Sequence, residues 1–390
     1  MRLFAPGAAT PYRAAMRIAV VAETRPGERR VAAVPDTVAL LVRQGHAVFV
    51  QAGAGAGSWV DDAGFRAAGA EVVDGDVTAD ADVVLHVRPL LPQDTARLRR
   101  GAVTIGLMSV STELDGVRAL AQAGVTSFAM ELVPRISRAQ SMDALTSQAL
   151  VAGYRCALEA AMRLPRFFPL FMTAAGTVPP AKVLVLGAGV AGLQAIATAR
   201  RLGAVVEAYD VRPASADEVR SMGATFVDLG LDAIEGAGGY ARELGEERAR
   251  RQAELLAPYV AKSDALITTA AIPGRPAPRL VDAGMVAAMR PGSVVVDLAA
   301  DSGGNVEGSV AGQEVQVGGV RIVGMLDPAS AMPVDASRLY AKNLTNLLAL
   351  MVGDDGALAV DLADEVLAGA CVTHEGAVRH EPTRLLLEGV

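Results

Sequence analysis

The residues best suited to chemistry in this chain form a glycine pattern near the middle of the sequence. Val183 to Gly192 read VLVLGAGVAG, so that an apolar run leads into Gly187, Gly189 and Gly192 at the spacing Gly-x-Gly-x-x-Gly. In such a turn the first glycine allows the tight bend, and the second lets backbone N–H groups approach a pyrophosphate. The third glycine lets the following helix, expected over Leu193 to Leu202, pack against its strand. The pattern therefore predicts a strand, a dinucleotide-binding turn and a helix.

An acidic residue follows this turn at the spacing that a dinucleotide site needs. Asp210 ends the next apolar run, VVEAYD, about 20 residues on, where an acid binds ribose hydroxyls and disfavours a 2′-phosphate. Arg212 comes two residues later and weakens that preference. We therefore predict that the chain binds NAD(H), with contacts from three groups of residues: the turn glycines, Val190 and Ala191 at the helix N-terminus, and the segment Asp210, Val211 and Arg212.

Composition excludes several other classes of protein. The 390 residues carry a formal net charge of −7, so no basic surface for nucleic acid is expected. The cysteines, Cys156 and Cys371, and the four histidines lie at spacings that are not typical of metal ligands, and no metal site is predicted. The most apolar stretches are far shorter than the ~20 residues that cross a bilayer. These features indicate an acidic enzyme without a membrane span of its own.

The elements that position the glycine turn alternate between apolar runs and helical patterns. Before the turn the runs are RIAVVAE, AVFVQAG, ADVVLHV, VTIGLM and TSFAME; from the turn onward they are KVLVLG, VVEAYDV, TFVDL, DALITTA, SVVVDLA and RIVGML. Alternation of this kind predicts parallel sheets with crossover helices, and six strands suit one complete doubly wound sheet. Helices are expected at 147–164 and 336–351 as connections between two domains.

The predicted fold class is therefore α/β, with two doubly wound Rossmann-like domains and a nucleotide cleft between them. Residues 16–146 and 336–390 would form a discontinuous N-terminal domain completed by the C-terminal segment, and 147–335 the NAD(H)-binding domain. Residues 1–15 are expected to be a disordered leader, which leaves open whether Met1 or Met16 is the true start. Ligands in such folds bind at the carboxyl ends of the strands, where strand order reverses.

Two further segments have open interpretations. Asp232 to Arg251 (DAIEGAGGYARELGEERARR) is expected to be a loop, either a solvated excursion or a lid over the nucleotide. Thr268 to Pro273 (TTAAIP) ends a predicted strand, and Thr269 and Ala270 are candidates to contact the ribose and pyrophosphate. An ordinary strand end explains this second segment equally well.

Several motifs together resemble one family. These are ETRPGERRVA from Glu23, MELVPRISRAQSMD from Met130, MTAAGTVPPAKVLVLGAGVAGLQAIATARRLGA from Met172 and GGYARELGEE from Gly238. They closely resemble the NAD(H)-binding alpha subunit of proton-translocating NAD(P)+ transhydrogenase, from about Met16 to the C-terminus. The RISRAQSMD segment is not a general feature of nucleotide-binding folds, so the resemblance is specific.

The resemblance implies the roles of further residues. Arg135 and Asp143 would orient the nicotinamide carboxamide, and Gln140 would reach toward a second nucleotide. Thr146 and Tyr154 would line the same pocket. Tyr240 would contact NAD(H) from a loop that in relatives folds over the bound nucleotide. Hydride passed directly between two nicotinamides moves no separate proton, so position should matter more than acid or base strength.

The same resemblance implies an assembly. In that family the subunit is a homodimer on the cytoplasmic side of a membrane complex and passes hydride to NADP(H) held on a partner subunit. The membrane and NADP(H)-binding parts would be other chains, which would also carry the proton coupling. The apolar segments near Leu347 and Phe167, taken as helices, are candidate dimer contacts, although apolar helices usually belong to the core.

Two alternatives compete with this interpretation. Alanine dehydrogenases share the architecture and the ETxxxExRVA-like opening, but their reaction needs a general acid/base. Their histidine corresponds to Leu107 here, and their lysine motif is reduced to the run from His86 to Pro89, while Arg30 for a carboxylate remains. Alternatively, the chain has lost turnover and acts as an NADH sensor or scaffold. The glycine turn, Asp210 and the RISRAQSMD loop favour a transhydrogenase.

Overall fold

The computed structural model describes residues 16–231, 245–271 and 275–389. They divide into two compact units: unit 1 holds the described residues up to Leu145 and from Pro333 onward, and unit 2 runs from Thr146 to Met332. The leader predicted for residues 1–15 and the predicted contact of Tyr240 lie outside the described residues. Both stay predictions.

The strands of the described residues are short and mostly apolar. In chain order they are β1 (Arg17–Val20), β2 (Ala47–Gln51), β3 (Glu71–Val73), β4 (Val83–Leu85), β5 (Val103–Gly106), β6 (Thr126–Ala129), β7 (Phe171–Thr173), β8 (Gly176–Val178), β9 (Lys182–Leu186), β10 (Val205–Tyr209), β11 (Thr225–Phe226), β12 (Ala265–Thr268), β13 (Val294–Asp297), β14 (Glu314–Val317), β15 (Val320–Gly324), β16 (Cys371–His374) and β17 (Ala377–Val378).

The α-helices of the described residues connect these strands. In chain order they are α1 (Pro35–Arg43), α2 (Asp62–Ala67), α3 (Pro92–Thr95), α4 (Leu114–Ala123), α5 (Ala144–Arg163), α6 (Val190–Arg201), α7 (Ser215–Ser221), α8 (Glu246–Lys262), α9 (Ala283–Ala287), α10 (Pro333–Ala349), α11 (Glu365–Ala370) and α12 (Glu381–Glu388). Among the described residues, no helix is long and apolar enough to span a membrane.

The sheet of unit 1 has the strand order β17-β16-β6-β5-β4-β1-β2-β3. Strands β1 to β6 pair in parallel, whereas β16 pairs antiparallel with β6 and with β17. Helix α10 packs into the same core, where Tyr340 and Leu344 are fully buried with Ile18 and Leu85. The C-terminal segment thus completes the N-terminal domain, as predicted.

The sheet of unit 2 has the strand order β11-β10-β9-β12-β13-β15-β14. All its pairs are parallel except β14 with β15. Apolar side chains on its two faces form separate core clusters, one including Ile196 of α6 and the other Leu256 of α8. Because both faces are covered, strands such as β9 (KVLVL) read as continuous apolar runs. The predicted α/β class with doubly wound sheets is confirmed.

Several strands were not predicted because they carry no continuous apolar run. β3 and β14 lie at sheet edges and are half-exposed, and β7 and β8 form a separate two-stranded hairpin whose residues are all exposed. β16 and β17 lie in the C-terminal part of unit 1. Edge strands and hairpins lack the fully apolar pattern on which the sequence argument depended.

The loop predicted over Asp232 to Arg251 was wrong for its last part. From Glu246 onward the chain is helical, in α8. Gln252, Leu256 and Val260 recur every four residues and are buried, so one face of this charged helix packs against the sheet. The prediction of a loop relied on the high charge of this segment and did not consider the four-residue spacing of its buried side chains.

The two candidate dimer contacts also differ from expectation. Leu347 lies on a helix but is fully buried in the unit 1 core, so it offers no contact surface. Phe167 is 55% exposed but lies outside any helix. Pro165 and Pro169 flank it, and proline at these positions prevents continuation of α5.

Candidate functional site

The glycine turn lies at the point where the strand order of unit 2 reverses. The chain winds from β9 to β10 and β11 on one side, and then continues on the other side with β12. Gly187 follows β9, and Thr269 follows β12, its hydrogen-bonded neighbour. The crevice outside the carboxyl ends of two such strands is where open α/β sheets bind ligands.

Packing explains the first and third glycines of the turn. Gly187 has φ +98°, a left-handed conformation that favours glycine, and a Cβ there would also come within 2.8 Å of Thr269 Oγ1. A Cβ on Gly192 would collide with the carbonyl oxygen of Gly187. These two glycines therefore let the first turn of α6 lie directly on the strand end.

Neither backbone strain nor packing explains Gly189. Its φ is −77°, which any residue adopts, and it is the N-cap of α6. Among the described residues, a Cβ there would approach nothing within 4 Å except Arg212 Nη2, at 3.8 Å. A glycine here leaves the backbone open to close approach by a molecule outside the chain. This geometry fits a pyrophosphate at the N-terminus of α6, beside Val190 and Ala191.

The segment after β12 is bound to the glycine turn. Thr269 Oγ1 donates to the carbonyl oxygen of Gly187 at 3.0 Å, and Thr269 N–H donates to Leu186 O at 2.8 Å. Thr269 and Ala270 are half-buried. The structure thus brings together the glycine turn and the segment of Thr269 and Ala270, which were predicted as separate candidate contacts.

Asn305 holds this segment in place, and sequence reasoning missed it. Its buried side chain accepts from Ala270 N–H at 3.1 Å and donates to the carbonyl oxygens of Ala270 and Pro278, each at 2.8 Å. Beside it, buried Asp297 accepts from the Thr268 hydroxyl at 3.0 Å. The sequence signal was a lone asparagine after two glycines, which by itself indicates only a turn.

The acidic residue after β10 is paired with its own neighbour. Asp210 Oδ1 accepts from Arg212 Nε at 2.9 Å and Oδ2 accepts from Arg212 Nη2 at 3.0 Å, so the ion pair is bidentate. Asp210 Oδ2 also accepts from Ala188 N–H in the glycine turn, at 2.7 Å. The hydrogen bonds that Arg212 donates to Asp210 raise the pKa of Arg212. Asp210 and Arg212 therefore form one ion pair beside the glycine turn. Val211, between them in sequence, is half-buried.

Helix α5 touches the turn as well. A Cβ on Gly153 would collide with the carbonyl oxygen of Ala191, so α5 and the first turn of α6 pack backbone to backbone at this point. Tyr154, the next residue, is 37% exposed, and Thr146 in the first turn of the helix is half-buried. Gly153 is a second residue that sequence reasoning missed, because a glycine within a helix carries no signal of what it contacts.

The RISRAQSMD segment belongs to unit 1. Ser137–Met142 forms a short 3-10 segment between β6 and α5, in which Gln140 is exposed. Arg135 just before it is exposed, and Asp143 just after it is half-buried. The three residues predicted to act on the nicotinamide are therefore carried by one compact loop.

Unit 1 also holds a cluster of buried charges at its own strand-order reversal, between β1 and β4. The side chain of Glu28 is fully buried. It accepts from Nε and Nη2 of Arg30 at 2.8 and 2.6 Å, and from Nε of Arg88 at 2.8 Å. Glu23 accepts from the backbone N–H groups of Val87 and Arg88 at 2.5 and 3.1 Å. We call Glu23, Glu28, Arg30 and Arg88 the charged cluster.

The pKa values in this region follow from burial and pairing. Burial raises the pKa of Glu23 to about 7. Burial alone would raise the pKa of Glu28, but the hydrogen bonds and charge of Arg30, with the charge of Arg88, outweigh it and lower that pKa to about 2. Burial lowers the pKa of His86 to about 4. His86 is therefore neutral at pH 7, and its Nδ1–H donates to Arg88 O at 2.7 Å.

Comparison with known proteins defines the class. The family model for the alanine dehydrogenase/PNT N-terminal domain matches residues 19–152, and the model for the alanine dehydrogenase/PNT C-terminal domain matches residues 156–381. The chain belongs to the alanine dehydrogenase/PNT family.

Within that family the chain is similar above all to transhydrogenases. It is 48% identical over 376 residues to a chain of Rhodospirillum rubrum that forms the first part of NAD(P) transhydrogenase subunit alpha, with 94% of this chain and 98% of the relative covered. The crystal structure of transhydrogenase from Sinorhizobium meliloti matches with a TM-score of 0.85 at 49% identity, over 93% of this chain and 99% of that chain. Alanine dehydrogenase of Mycobacterium tuberculosis is 34% identical over 375 residues, 94% of this chain and 95% of the relative. The predicted resemblance to the transhydrogenase alpha subunit is confirmed. The prediction that the chain is an enzyme of that class is confirmed as well.

Proposed function

We propose that this chain binds NAD(H) and passes hydride directly to or from NADP(H) held on a partner subunit. In the forward direction NADH loses a hydride from its dihydronicotinamide ring and becomes NAD+. The same hydride reduces the nicotinamide ring of NADP+ to NADPH, so atoms and electrons balance without a free proton. The observation that carries the proposal is the open approach to the backbone at Gly189, at the strand-order reversal of unit 2.

The chain's own residues supply binding and orientation. We assign the pyrophosphate to the turn from Gly187 to Gly192, and further nucleotide contacts to Thr146, Tyr154, Thr269 and Ala270. An Arg guanidinium donates to a carboxamide oxygen, and a carboxylate accepts from its N–H2 group, so Arg135 and Asp143 together can fix the rotation of the nicotinamide ring. Gln140, exposed on the same loop, is assigned to the contact with the second nucleotide.

Asp210 supports NAD(H) over NADP(H) on this chain. Its carboxylate can accept from the ribose hydroxyls and repels a 2′-phosphate. Arg212, which occupies that carboxylate in the structure, must move aside or share it when ribose binds. This competition makes Arg212 part of the nucleotide selectivity.

The assembly is part of the proposal. A subunit alpha works with other subunits, and we propose that those chains hold NADP(H), anchor this chain to the inner face of the cell membrane and couple hydride transfer to proton movement. We also propose a homodimer. The exposed β7–β8 hairpin supports it, because Phe171, Met172 and Val178 present apolar side chains at 44%, 75% and 37% exposure, next to exposed Phe167 and Leu170.

Alanine dehydrogenase activity is the competing function, and His86, Arg30 and Leu107 argue against it. Amine oxidation needs an acid/base near neutral pH and a cation for the substrate carboxylate. Glu23, whose pKa burial raises to about 7, has both carboxylate oxygens bound by the backbone N–H groups of Val87 and Arg88. The pKa of His86 is lowered to about 4, and Nε and Nη2 of Arg30 are both bound to Glu28. Leu107, at the position of the alanine dehydrogenase histidine, carries no titratable group.

The test is NADH-dependent reduction of an NADP analogue by the purified chain, alone and mixed with a matching NADP(H)-binding subunit. Transfer in the mixture alone supports the proposal. NADH oxidation by pyruvate and ammonia, without transfer in the mixture, would establish an alanine dehydrogenase instead. Exchange of Gln140 for Ala should reduce transfer far more than NADH binding, whereas unchanged transfer would remove Gln140 from the site.

A further inference from the structure

Two asparagine side chains converge on one carbonyl oxygen in the RISRAQSMD loop. Asn343 Nδ2 donates to Ser141 O at 2.8 Å, and Asn346 Nδ2 donates to the same oxygen at 2.9 Å. The two asparagines are three residues apart on α10, so they lie on one face of the helix. Ser141 follows Gln140 directly, and Asp143 is two residues further on.

The helix that carries the two asparagines is itself firmly held. Tyr340, one turn earlier on α10, is fully buried. Its hydroxyl accepts from Leu107 N–H at 3.0 Å and donates to His86 O at 3.0 Å. The carbonyl oxygen of Ser141 is therefore bound to a helix anchored in the unit 1 core.

A second anchor lies on the other side of Gln140. Arg138 donates through Nη1 and Nη2 to the carboxylate of Asp364, at 2.9 and 2.8 Å. Asp364 also accepts from Val366 N–H as the N-cap of α11, and the pair with Arg138 lowers the pKa of Asp364 to about 2. Between these anchors, Ala139 is buried in the core.

The loop thus has fixed residues on both sides of an exposed Gln140. An ordinary surface residue needs no such support. A side chain that must contact a second nucleotide during hydride transfer has to be held to within about 0.5 Å of its productive position. A misplacement of about 1 Å can cost on the order of 100-fold in rate.

We propose that Asn343 and Asn346 are positioning residues, which hold the Ser137–Met142 loop so that Gln140 meets the second nucleotide during hydride transfer. The inference rests on the proposed function, because it gives the loop its task. This role would extend the functional site to α10, which lies outside both the RISRAQSMD segment and unit 2.

The test uses Asn346→Asp and Asn346→Ala in the full chain, assayed with the NADP(H)-binding partner. Aspartate keeps the shape of the side chain but has no N–H to donate. Both variants should lower kcat for transfer by on the order of tenfold, while the KM and Kd for NADH change less than about twofold. Lys342→Ala is the matched control, since Lys342 is exposed on the same helix and is expected to leave transfer unchanged.

Two further readouts separate positioning from a loss of folding. Hydrogen exchange of the amides in 137–142 should accelerate in the Asn346 variants and not in Lys342→Ala, at an unchanged melting temperature. In the Gln140→Ala background, Asn346→Ala should cost less than about twofold, because both changes act through the same side chain. The inference would be overturned by an unchanged kcat in the Asn346 variants. It would also be overturned if the effects of Gln140→Ala and Asn346→Ala on kcat were additive in the double variant.

The outcomes also separate this inference from the proposed function. If the wild-type chain transfers hydride and Gln140→Ala is impaired, but the Asn346 variants are not, the positioning role alone is wrong. If the wild-type chain shows no transfer with its partner, the proposed function fails and the positioning role fails with it. In that case, accelerated exchange in 137–142 would still identify the asparagines as structural supports of the loop.

Discussion

The guanidinium of Arg212 lies on the carboxylate of Asp210, with Nε 2.9 Å from Oδ1 and Nη2 3.0 Å from Oδ2. The side chain of Asp210 is 7% exposed and that of Arg212 is 23% exposed, so the pair is largely shielded from water. Asp210, which is expected to select NAD(H), is therefore bound to Arg212, which is expected to weaken that selectivity.

The first prediction concerns nucleotide selectivity. Arg212→Ala removes the guanidinium from both carboxylate oxygens of Asp210, which keep only their backbone donors, Ala188 N–H and residue 212 N–H. The carboxylate then has more capacity for ribose hydroxyls, and its negative charge is no longer balanced near a 2′-phosphate. We expect the ratio of NADPH to NADH dissociation constants to rise severalfold, and Asp210→Asn to lower it. Titration of each variant with both nucleotides measures the ratio, and tighter NADPH binding by Arg212→Ala would contradict the competition.

The second prediction compares two glycines of the same turn. In Gly189→Ala the added methyl group meets no close protein atom among the described residues, so we expect a loss of stability below about 1 kcal/mol. NADH affinity should nevertheless fall by about tenfold or more, because the methyl group occupies the approach to the backbone. In Gly192→Ala the collision with Gly187 O should destabilise the fold itself by on the order of 2 kcal/mol.

Denaturant unfolding and NADH titration together check this pair of glycines. If Gly189→Ala binds NADH like the wild type, the nucleotide does not approach the turn at that point. If Gly192→Ala is as stable as Gly189→Ala, the close packing of α6 on the strand end is not what requires its glycine.

The third prediction concerns Asn305, which binds both backbone groups of Ala270. Asn305→Asp keeps the acceptor for Ala270 N–H but places a carboxylate against the carbonyl oxygens of Ala270 and Pro278. We expect weaker NADH binding, by about tenfold, because Thr269 loses its fixed contact with the turn. Asn343→Asp, a like change in the other unit, should leave the Kd for NADH nearly unchanged, and equal effects of the two variants would argue against a local role for Asn305.

The fourth prediction is a pH dependence of stability that Glu23 controls. Burial raises the pKa of Glu23 from 4.5 to about 7, so the folded state holds this proton more tightly than the unfolded state. The stabilisation is complete below pH 4.5 and is lost as the pH rises toward and through 7. The free energy of unfolding should therefore fall by about 3 kcal/mol across this window.

Glu23→Gln isolates this effect, because glutamine does not titrate. The variant should show a flatter stability profile between pH 5 and 8 than the wild type, measured by urea unfolding at several pH values. A profile parallel to that of the wild type would show that another group is responsible. Glu28 acts at the acid end. Because its pKa is lowered from 4.5 to about 2, its stabilising contribution is complete above pH 4.5 and is lost as the pH falls toward and through 2.

Sequence reasoning was sufficient for features that depend on local spacing. The glycine turn, the helix that follows it and the acid after the next strand follow from short sequence spacings, and the structure contains all three. The same reasoning placed the C-terminal segment with the N-terminal domain, because an apolar helix after Pro333 had to bury its face somewhere.

The features that it missed depend on contacts between distant parts of the chain. Asn305 lies 35 residues from Ala270, and Asn343 lies 202 residues from Ser141. A single asparagine has the same sequence signature whether it caps a turn or holds a remote carbonyl oxygen. Gly153 is similar, since a glycine in a helix does not reveal that another helix approaches its backbone.

The two units wind in the same order around their first strands, β3-β2-β1-β4-β5 in one and β11-β10-β9-β12-β13 in the other. Their reversal points are therefore equivalent places, but they are filled differently. In unit 2 the place is lined by glycine backbone, and in unit 1 by the charged cluster around Glu28. Because the charged side chains at the unit 1 reversal point are bound to one another, we expect equilibrium dialysis to give a stoichiometry of one NADH per chain and not two.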